Sequence, residues 1–302
     1  MGILGSVKRL NLLLNHPLTE EHKLSALWRY LGWQAAIRLV RQPILFDFVN
    51  NSMLCIRKGE ASSLVVHTGL FEYEEMCFVL HCLRKDDIFV DVGANVGVYT
   101  ILASAVIGSR CVAFEPVPDT FTDLLLNIRL NNVGHLVRAV DAAIGSTNGA
   151  AACTAILGAA NRITTGVAPG EVGTVQVRMA RLDDAIQNLK PRILKIDVEG
   201  FETEVVSGGQ ETLSDPNLTA VIMELKGHGE RYGFDEGMLH RKMLGFGFGS
   251  CLYEPKKREV IPTSSPRCSA SGNVLYVRNA DRATQLAKNA PQFFVRRICT
   301  WV

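Results

Sequence analysis

The 302-residue sequence has no apolar run long enough to span a bilayer, no CxxC pair and no basic tract. Each absence removes a class. A helix crossing the hydrocarbon core needs about 20 predominantly apolar residues, so no membrane span is expected. Residues 1–17 also lack the apolar core and cleavage site of a secretory leader. Eight cysteines, Cys55, Cys77, Cys82, Cys111, Cys153, Cys251, Cys268 and Cys299, fall singly and without zinc-site spacing. Several lie inside apolar runs and read as reduced core thiols of a cytoplasmic protein. The formal charge of +2 comes from scattered Lys and Arg with no interleaved aromatics, which argues against a nucleic-acid partner. The opening MGILGS fits the M-G-x-x-x-S myristoylation pattern, too loose a pattern to carry an assignment.

What is present is core. A hydrophobic content of 47% over this length supports one large or two modest domains. Residues 1–65 read as a helix and hairpin extension, 66–280 as the main domain, and 281–302 as a tail forming a surface appendage. Thr19 is placed as an N-cap, followed by Leu24, Leu27, Trp28, Leu31 and Ala35 at helical spacing, a stripe expected to face a core. Residues 44–49 and 53–57 read as a hairpin, and 72–83 as a helix.

The organising stretch is IFVDVGANVGVYT at 88–100. An apolar run ends in Asp91, a glycine-bearing turn follows, and an apolar helical pattern begins: strand, tight loop, helix. Gly93 and Gly97 permit positive φ and let a ligand lie against bare backbone. Twenty-four positions after Asp91, a second apolar run ends in Glu115, where nucleotide-binding βαβ units carry a ribose-binding acid. Two strand-helix units in succession imply a parallel sheet. Further strands are expected at 137–144, 193–198 and 220–223, an edge strand at 175–179, a short helix at 182–189, and an antiparallel pair near 250–253 and 274–277. The small-residue segment 150–173 is left between short strands and a substrate loop. Asp197, Glu199 and Glu202 crowd the end of the fourth strand, Glu224 ends the fifth, and His228 follows it. Clustered carboxylates raise one another's pKa, which suits a general base or a cation site.

Five blocks in order, DVGANVGVYT, AFEPVPDTFTDLLLNIRLNN, VRMARLDDAI, LKIDVEGFETEVVSGG and IMEL, resemble the signature of the FkbM family of S-adenosylmethionine-dependent methyltransferases over residues 70–255. The resemblance implies an α/β class I (Rossmann-like) fold, a seven-stranded mostly parallel sheet with helices on both faces. It also implies methyl transfer to a hydroxyl, on a saccharide or a natural-product acceptor. Under it, Asp91, Gly93, Asn95 and Gly97 would hold the methionine half of the cofactor, Glu115 the ribose hydroxyls, and Asp141 with the Ala142 backbone the adenine side. Activating the acceptor calls for a base among Asp197, Glu199 and His228, Asp197 also bordering the cofactor; a divalent cation is admitted but not favoured. The rivals are a nicotinamide-dependent oxidoreductase, opposed by the G-A-N-x-G loop and the Asp91 carboxylate, and a non-catalytic protein that keeps the fold. Acceptor identity and oligomeric state are open.

Overall fold

Apolar runs without polar alternation need cover on both faces, and the computed structural model puts them at the middle of an eight-stranded sheet. It describes residues 13–20, 23–39, 43–57, 64–164, 173–266, 269 and 271–302. The myristoylation pattern at the start, residues 165–172 of the small-residue segment, and Cys268 lie outside the described residues. Main-sheet strands are labelled in chain order: β1 (Ile88–Val92), β2 (Arg110–Phe114), β3 (Val137–Val140), β4 (Ile193–Ile196), β5 (Ala220–Glu224), β6 (Gly249–Glu254), β7 (Glu259–Pro262) and β8 (Asn273–Val277).

Their order is β7-β6-β8-β5-β4-β1-β2-β3. Strands β1 to β5 pair in parallel, while β8 runs antiparallel to both β5 and β6. This is the expected class I arrangement, with the hairpin strand β7 added antiparallel to β6 as an eighth, edge member. From β1 the chain first builds outward through β2 and β3, then returns to lay β4 on the other side of β1. The order therefore reverses between β1 and β4, and a crevice opens at the carboxyl ends of those two strands, the usual ligand position in an open α/β sheet.

Period-two alternation divides the core. Phe89 joins the cluster on one face with Cys111, Ala113, Ile193 and Ile222, whereas Ile88, Val90 and Val92 join the other with Val112, Phe114, Leu194 and Val221. Each such side chain contributes about 1.5–3 kcal/mol on burial, so the two parallel strands that carry the crevice are anchored from both sides.

The expected strand at 137–144 is divided. β3 stops at Val140, and Ala143–Gly145 enters a separate four-stranded sheet with Gly149–Thr154, Ile163–Thr164 and Thr174–Arg181. In that sheet Thr174–Arg181 lies between Ala143–Gly145 and Gly149–Thr154 rather than at an edge.

The N-cap expected at Thr19 involves residues 21–22, which lie outside the described residues; Thr19 itself is buried, and its hydroxyl donates to the Leu13 and His16 carbonyls. Two further expectations are corrected. On helix Lys23–Leu39, Leu24, Trp28 and Leu31 are exposed, and the buried face is formed by Ala26 and Trp33 instead. Residues after Asp281 are not an appendage: Ala287 and Val295 are fully buried, and Asn50 N–H donates to the Phe294 carbonyl and Arg296 N–H to that of Phe48. The hairpin Ile44–Asp47/Met53–Ile56 is as expected, and its second strand is tied to helix Pro118–Leu130 through Cys55 N–H to Asn127 Oδ1 (2.7 Å) and Met53 N–H to Asn131 Oδ1 (2.9 Å). Among the described residues no helix is long and apolar enough to cross a membrane.

Candidate active site

Gly93 fixes the centre of the crevice. Its φ is +81°, and a Cβ there would stand 1.9 Å from the Asp197 carbonyl oxygen, so the loop after β1 lies bare against the end of β4. Asn95 is also left-handed, at φ +52°, and its Oδ1 accepts the Val96 N–H at 2.7 Å. Gly97, at φ +90°, precedes the helical turn Val98–Ile101.

Asp91 is buried beneath this loop and accepts the Thr100 hydroxyl at 2.7 Å. Burial pushes its carboxyl up to about 6, against the opposing pull of Lys195 and of Thr100. Lys195 donates to Asp197 Oδ2 at 2.6 Å and sits 4.8 Å from the Tyr99 ring centroid, and the Tyr99 hydroxyl donates to Glu72 Oε2 at 2.7 Å. Burial works against the Lys195 charge, but Asp197, Glu72 and Asp91 outweigh it and hold the ammonium well above its ordinary range.

Glu115 ends the β2 side. It is 6% exposed, accepting the Asn95 N–H at Oε2 (3.0 Å) and the Val117 N–H at Oε1 (2.9 Å). Burial lifts it to about 7, with the two amides pulling the other way. Beside it is a narrow cleft lined by Gly93, Asn95, Ala142, Ile144 and Phe201. Ala142, expected on the adenine side, is one of the residues lining this cleft. Asp141 does not join the site: its side chain is 75% exposed and faces Arg178 at 3.6 Å.

On the other side of Gly93 opens a cavity of about 570 Å³, bordered by Glu72, Asp91, Asp197, Glu199, Glu224 and Lys226. The turn after β4 is held tightly here. Glu199 adopts φ +56°, and Gly200, at φ +106°, lies so close to His228 that a Cβ would be 2.5 Å from its carbonyl oxygen. Glu202 is not part of the acid cluster at the mouth; its Oε1 turns back to accept the Val198 and Gly200 N–H groups, both at 3.1 Å, and so braces the turn. The result is a convergence of separate elements: His228 Nδ1 is 3.0 Å from Glu199 Oε2 and 3.7 Å from Glu224 Oε2. Burial, then the Asp197 and Glu199 charges, raise Glu224 to about 8. Glu199 is also raised, by burial and Asp197, and His228 is lowered, by burial and then Arg231 and Lys226.

Glu72, Tyr73 and Tyr99 were not foreseen. Glu72 and Tyr73 open a helix that reads as scaffold, and nothing in its spacing reveals that their side chains border a cavity almost 20 residues ahead of the glycine loop. Leu13, His16 and Pro17 complete that wall, with the His16 and Tyr73 rings 6.0 Å apart.

A profile of the methyltransferase FkbM domain matches residues 91–250, a little over half of the chain and the span that runs from the end of β1 through β5 and holds the cradle and the acid cluster. The chain belongs to the FkbM methyltransferase family. That membership sets aside the nicotinamide oxidoreductase, and it implies use of S-adenosylmethionine. Among curated FkbM-like relatives, the hexuronic acid methyltransferase AglP of Haloferax volcanii is 29% identical over 51% of this chain and 62% of its own, so the chain spans less than two thirds of that protein. Methyltransferase 1 of Beauveria bassiana is also 29% identical, over 54% of this chain and 74% of its own. Among solved structures, a precorrin-6y C5,15-methyltransferase from Geobacter metallireducens overlaps 72% of this chain and 90% of its own at 13% identity with a TM-score of 0.39, too loose a superposition to carry a functional conclusion.

Proposed function

We propose that this chain is an S-adenosylmethionine-dependent O-methyltransferase acting on a hydroxyl of a saccharide or natural-product acceptor. The observation that carries the reading is the pairing of two dissimilar acid sites around one bare glycine: Glu115 on the narrow side of Gly93, and Asp197 with Glu199, Glu224 and His228 on the open side.

The residues fit the cofactor. Glu115 presents a carboxylate already oriented by two backbone amides, suited to ribose hydroxyls. Gly93 leaves backbone where no side chain has room, and the buried acids Asp91 and Glu72 supply the negative charge an ammonium group needs. Ala142 lines the narrow cleft on the side this reading gives to the adenine. S-adenosylmethionine, when bound, supplies a methyl group already activated on a sulfonium, so the protein's work is to bind, align and exclude water. Alignment of that kind accounts for about 7–11 kcal/mol of barrier in well-oriented reactions. A hydroxyl is a poor nucleophile until its proton leaves, and Asp197, beside Glu199 and His228, is the group this reading assigns to take it. Lys195 donates to Asp197 Oδ2 and so fixes the direction of that carboxylate at the end of β4.

The test is calorimetric titration with S-adenosylmethionine and with NAD, followed by release of S-adenosylhomocysteine over a panel of hydroxylated acceptors. Hexuronic acids come first in that panel because AglP is named for them. A methyl ether, stable to mild alkali, is the expected product. An alkali-labile ester would transfer the reaction to a carboxylate, and tighter binding of NAD than of S-adenosylmethionine would end the reading.

A further inference from the structure

The open side of the crevice holds two buried polar atoms that make no hydrogen bond. Glu224 is 4% exposed; Lys226 Nζ takes its Oε1, while its Oε2 is buried without a hydrogen-bond partner. His228 Nδ1 is likewise buried and makes no hydrogen bond, although Glu199 Oε2 is only 3.0 Å away. An imidazole nitrogen and two carboxylate oxygens, one from each of Glu199, Glu224 and His228, therefore lie within 4.8 Å of one another. Ligand atoms about 2.0–2.6 Å from a shared divalent ion stand roughly 3–5 Å from each other, which is this spacing.

The three donors come from three places, and the backbone is bent to collect them. Glu199 sits at φ +56°, a conformation a non-glycine residue keeps only where the surroundings enforce it. Gly200 lets the same turn lie against the His228 carbonyl, and Glu202 braces it from behind.

We propose that Glu199, Glu224 and His228 are the ligands of a divalent cation, and that this cation takes the acceptor's hydroxyl oxygen in one of its remaining positions. Mixed oxygen and nitrogen donors without a thiolate suit Mn²⁺ or a similar hard to borderline ion, and two carboxylates match its charge. Both acids border the 570 Å³ cavity, so the vacant positions face the space an acceptor would occupy. A hydroxyl held by such an ion loses its proton far more readily than a free one, and the proton passes to Asp197 at the end of β4. The O–H bond breaks there as the oxygen becomes the nucleophile, with no oxidant or reductant required. The inference rests on the methyl-transfer reading above, and it reverses the weight that the sequence put on a base alone. Donors at 199, 224 and 228 have no recognisable ligand spacing, because the sheet rather than the local chain brings them together.

The experiment uses the full chain stripped with EDTA and titrated with Mn²⁺ alone, followed by electron paramagnetic resonance of free Mn²⁺. One tight Mn²⁺ per chain is expected. Glu224→Gln, which keeps the side-chain shape, and His228→Ala should each weaken it at least tenfold, with circular dichroism and S-adenosylhomocysteine affinity unchanged. Turnover should fall at least a hundredfold in EDTA and return with Mn²⁺. Absence of Mn²⁺ binding at millimolar concentration, equal binding by wild type and Glu224→Gln, or full turnover in EDTA would overturn the cation site and leave the methyltransferase standing. Mn²⁺ binding without any S-adenosylhomocysteine binding would support the cation site and overturn the methyl-transfer reading instead.

Discussion

Glu115 closes β2 and Glu224 closes β5, on opposite flanks of the β1–β4 crevice, and both are more than nine-tenths buried. Burial raises both carboxyls, to about 7 and about 8. Their partners differ. Each oxygen of Glu115 accepts a backbone N–H, so the group is finished before any ligand arrives. Glu224 has a lysine on one oxygen, while the other makes no hydrogen bond and faces His228 Nδ1 at 3.7 Å. A buried acceptor left unpaired costs about 1–3 kcal/mol, which a protein sustains where a ligand completes the set. Under the proposed function, the narrow flank is a pre-built grip for the cofactor, and the open flank is where the acceptor reacts.

The strongest way to break this contrast is Asp197→Asn. Losing the proton acceptor should lower turnover about a thousandfold, within the usual range for a general base, while S-adenosylhomocysteine affinity stays within about threefold by the same division of roles. The variant also leaves Lys195, whose side chain is 4% exposed, without its carboxylate and should lower the melting temperature. Near-wild-type turnover would remove Asp197 from the reaction. Next comes Gly93→Ala. A Cβ 1.9 Å from a backbone carbonyl forces the β1 loop off the β4 end, and cofactor affinity should fall about a hundredfold or the fold lose several kcal/mol, by the usual cost of such substitutions. Tight binding in a folded Gly93→Ala protein would mean the cofactor does not use this loop.

Glu115→Gln is milder. It keeps the shape but weakens charge-assisted bonds to hydroxyls, worth about 1.5–3 kcal/mol in all, so cofactor affinity should drop about tenfold or more with acceptor KM unchanged. The smallest expected effect is on pH. Because burial raises Glu115 in the folded state, its protonated form favours folding at low pH, and that contribution is lost as pH rises through about 7. Cofactor affinity runs the opposite way, since the ionised carboxylate is the better hydroxyl acceptor. It should strengthen by up to about tenfold between pH 6 and 8 in calorimetry, by the hydrogen-bond difference just cited, and the slope should flatten in Glu115→Gln. A flat wild-type profile would contradict this.

The positions on the narrow flank were legible in the sequence and those on the open flank only in part, for physical reasons. Asp91, Gly93 and Glu115 lie at ends of apolar runs, where a strand must stop and a turn must begin, so local pattern locates them. Glu202 lies among the same acids but turns back onto the Val198 and Gly200 amides, a difference of rotamer that no spacing encodes. Glu72 and Tyr73 reach the cavity only because a scaffold helix happens to start there. The Ala-rich strand Gly149–Thr154 lacks the alternation that announces a sheet. The tail docks through two-residue strands, Phe294–Val295 and Thr300–Trp301, beside a hairpin about 245 positions earlier, a pairing beyond any local signal. Conversely, the Leu24, Trp28 and Leu31 spacing is helical as read, yet the chain buries Ala26 and Trp33 in its place.

The most direct test is a paired calorimetric titration of S-adenosylhomocysteine into the wild-type protein and into Glu115→Gln at pH 8. One site per chain in the wild type, weakened at least tenfold in a variant that stays folded by circular dichroism, is the predicted result. No heat from the wild type, or equal affinity in the two proteins, would contradict it.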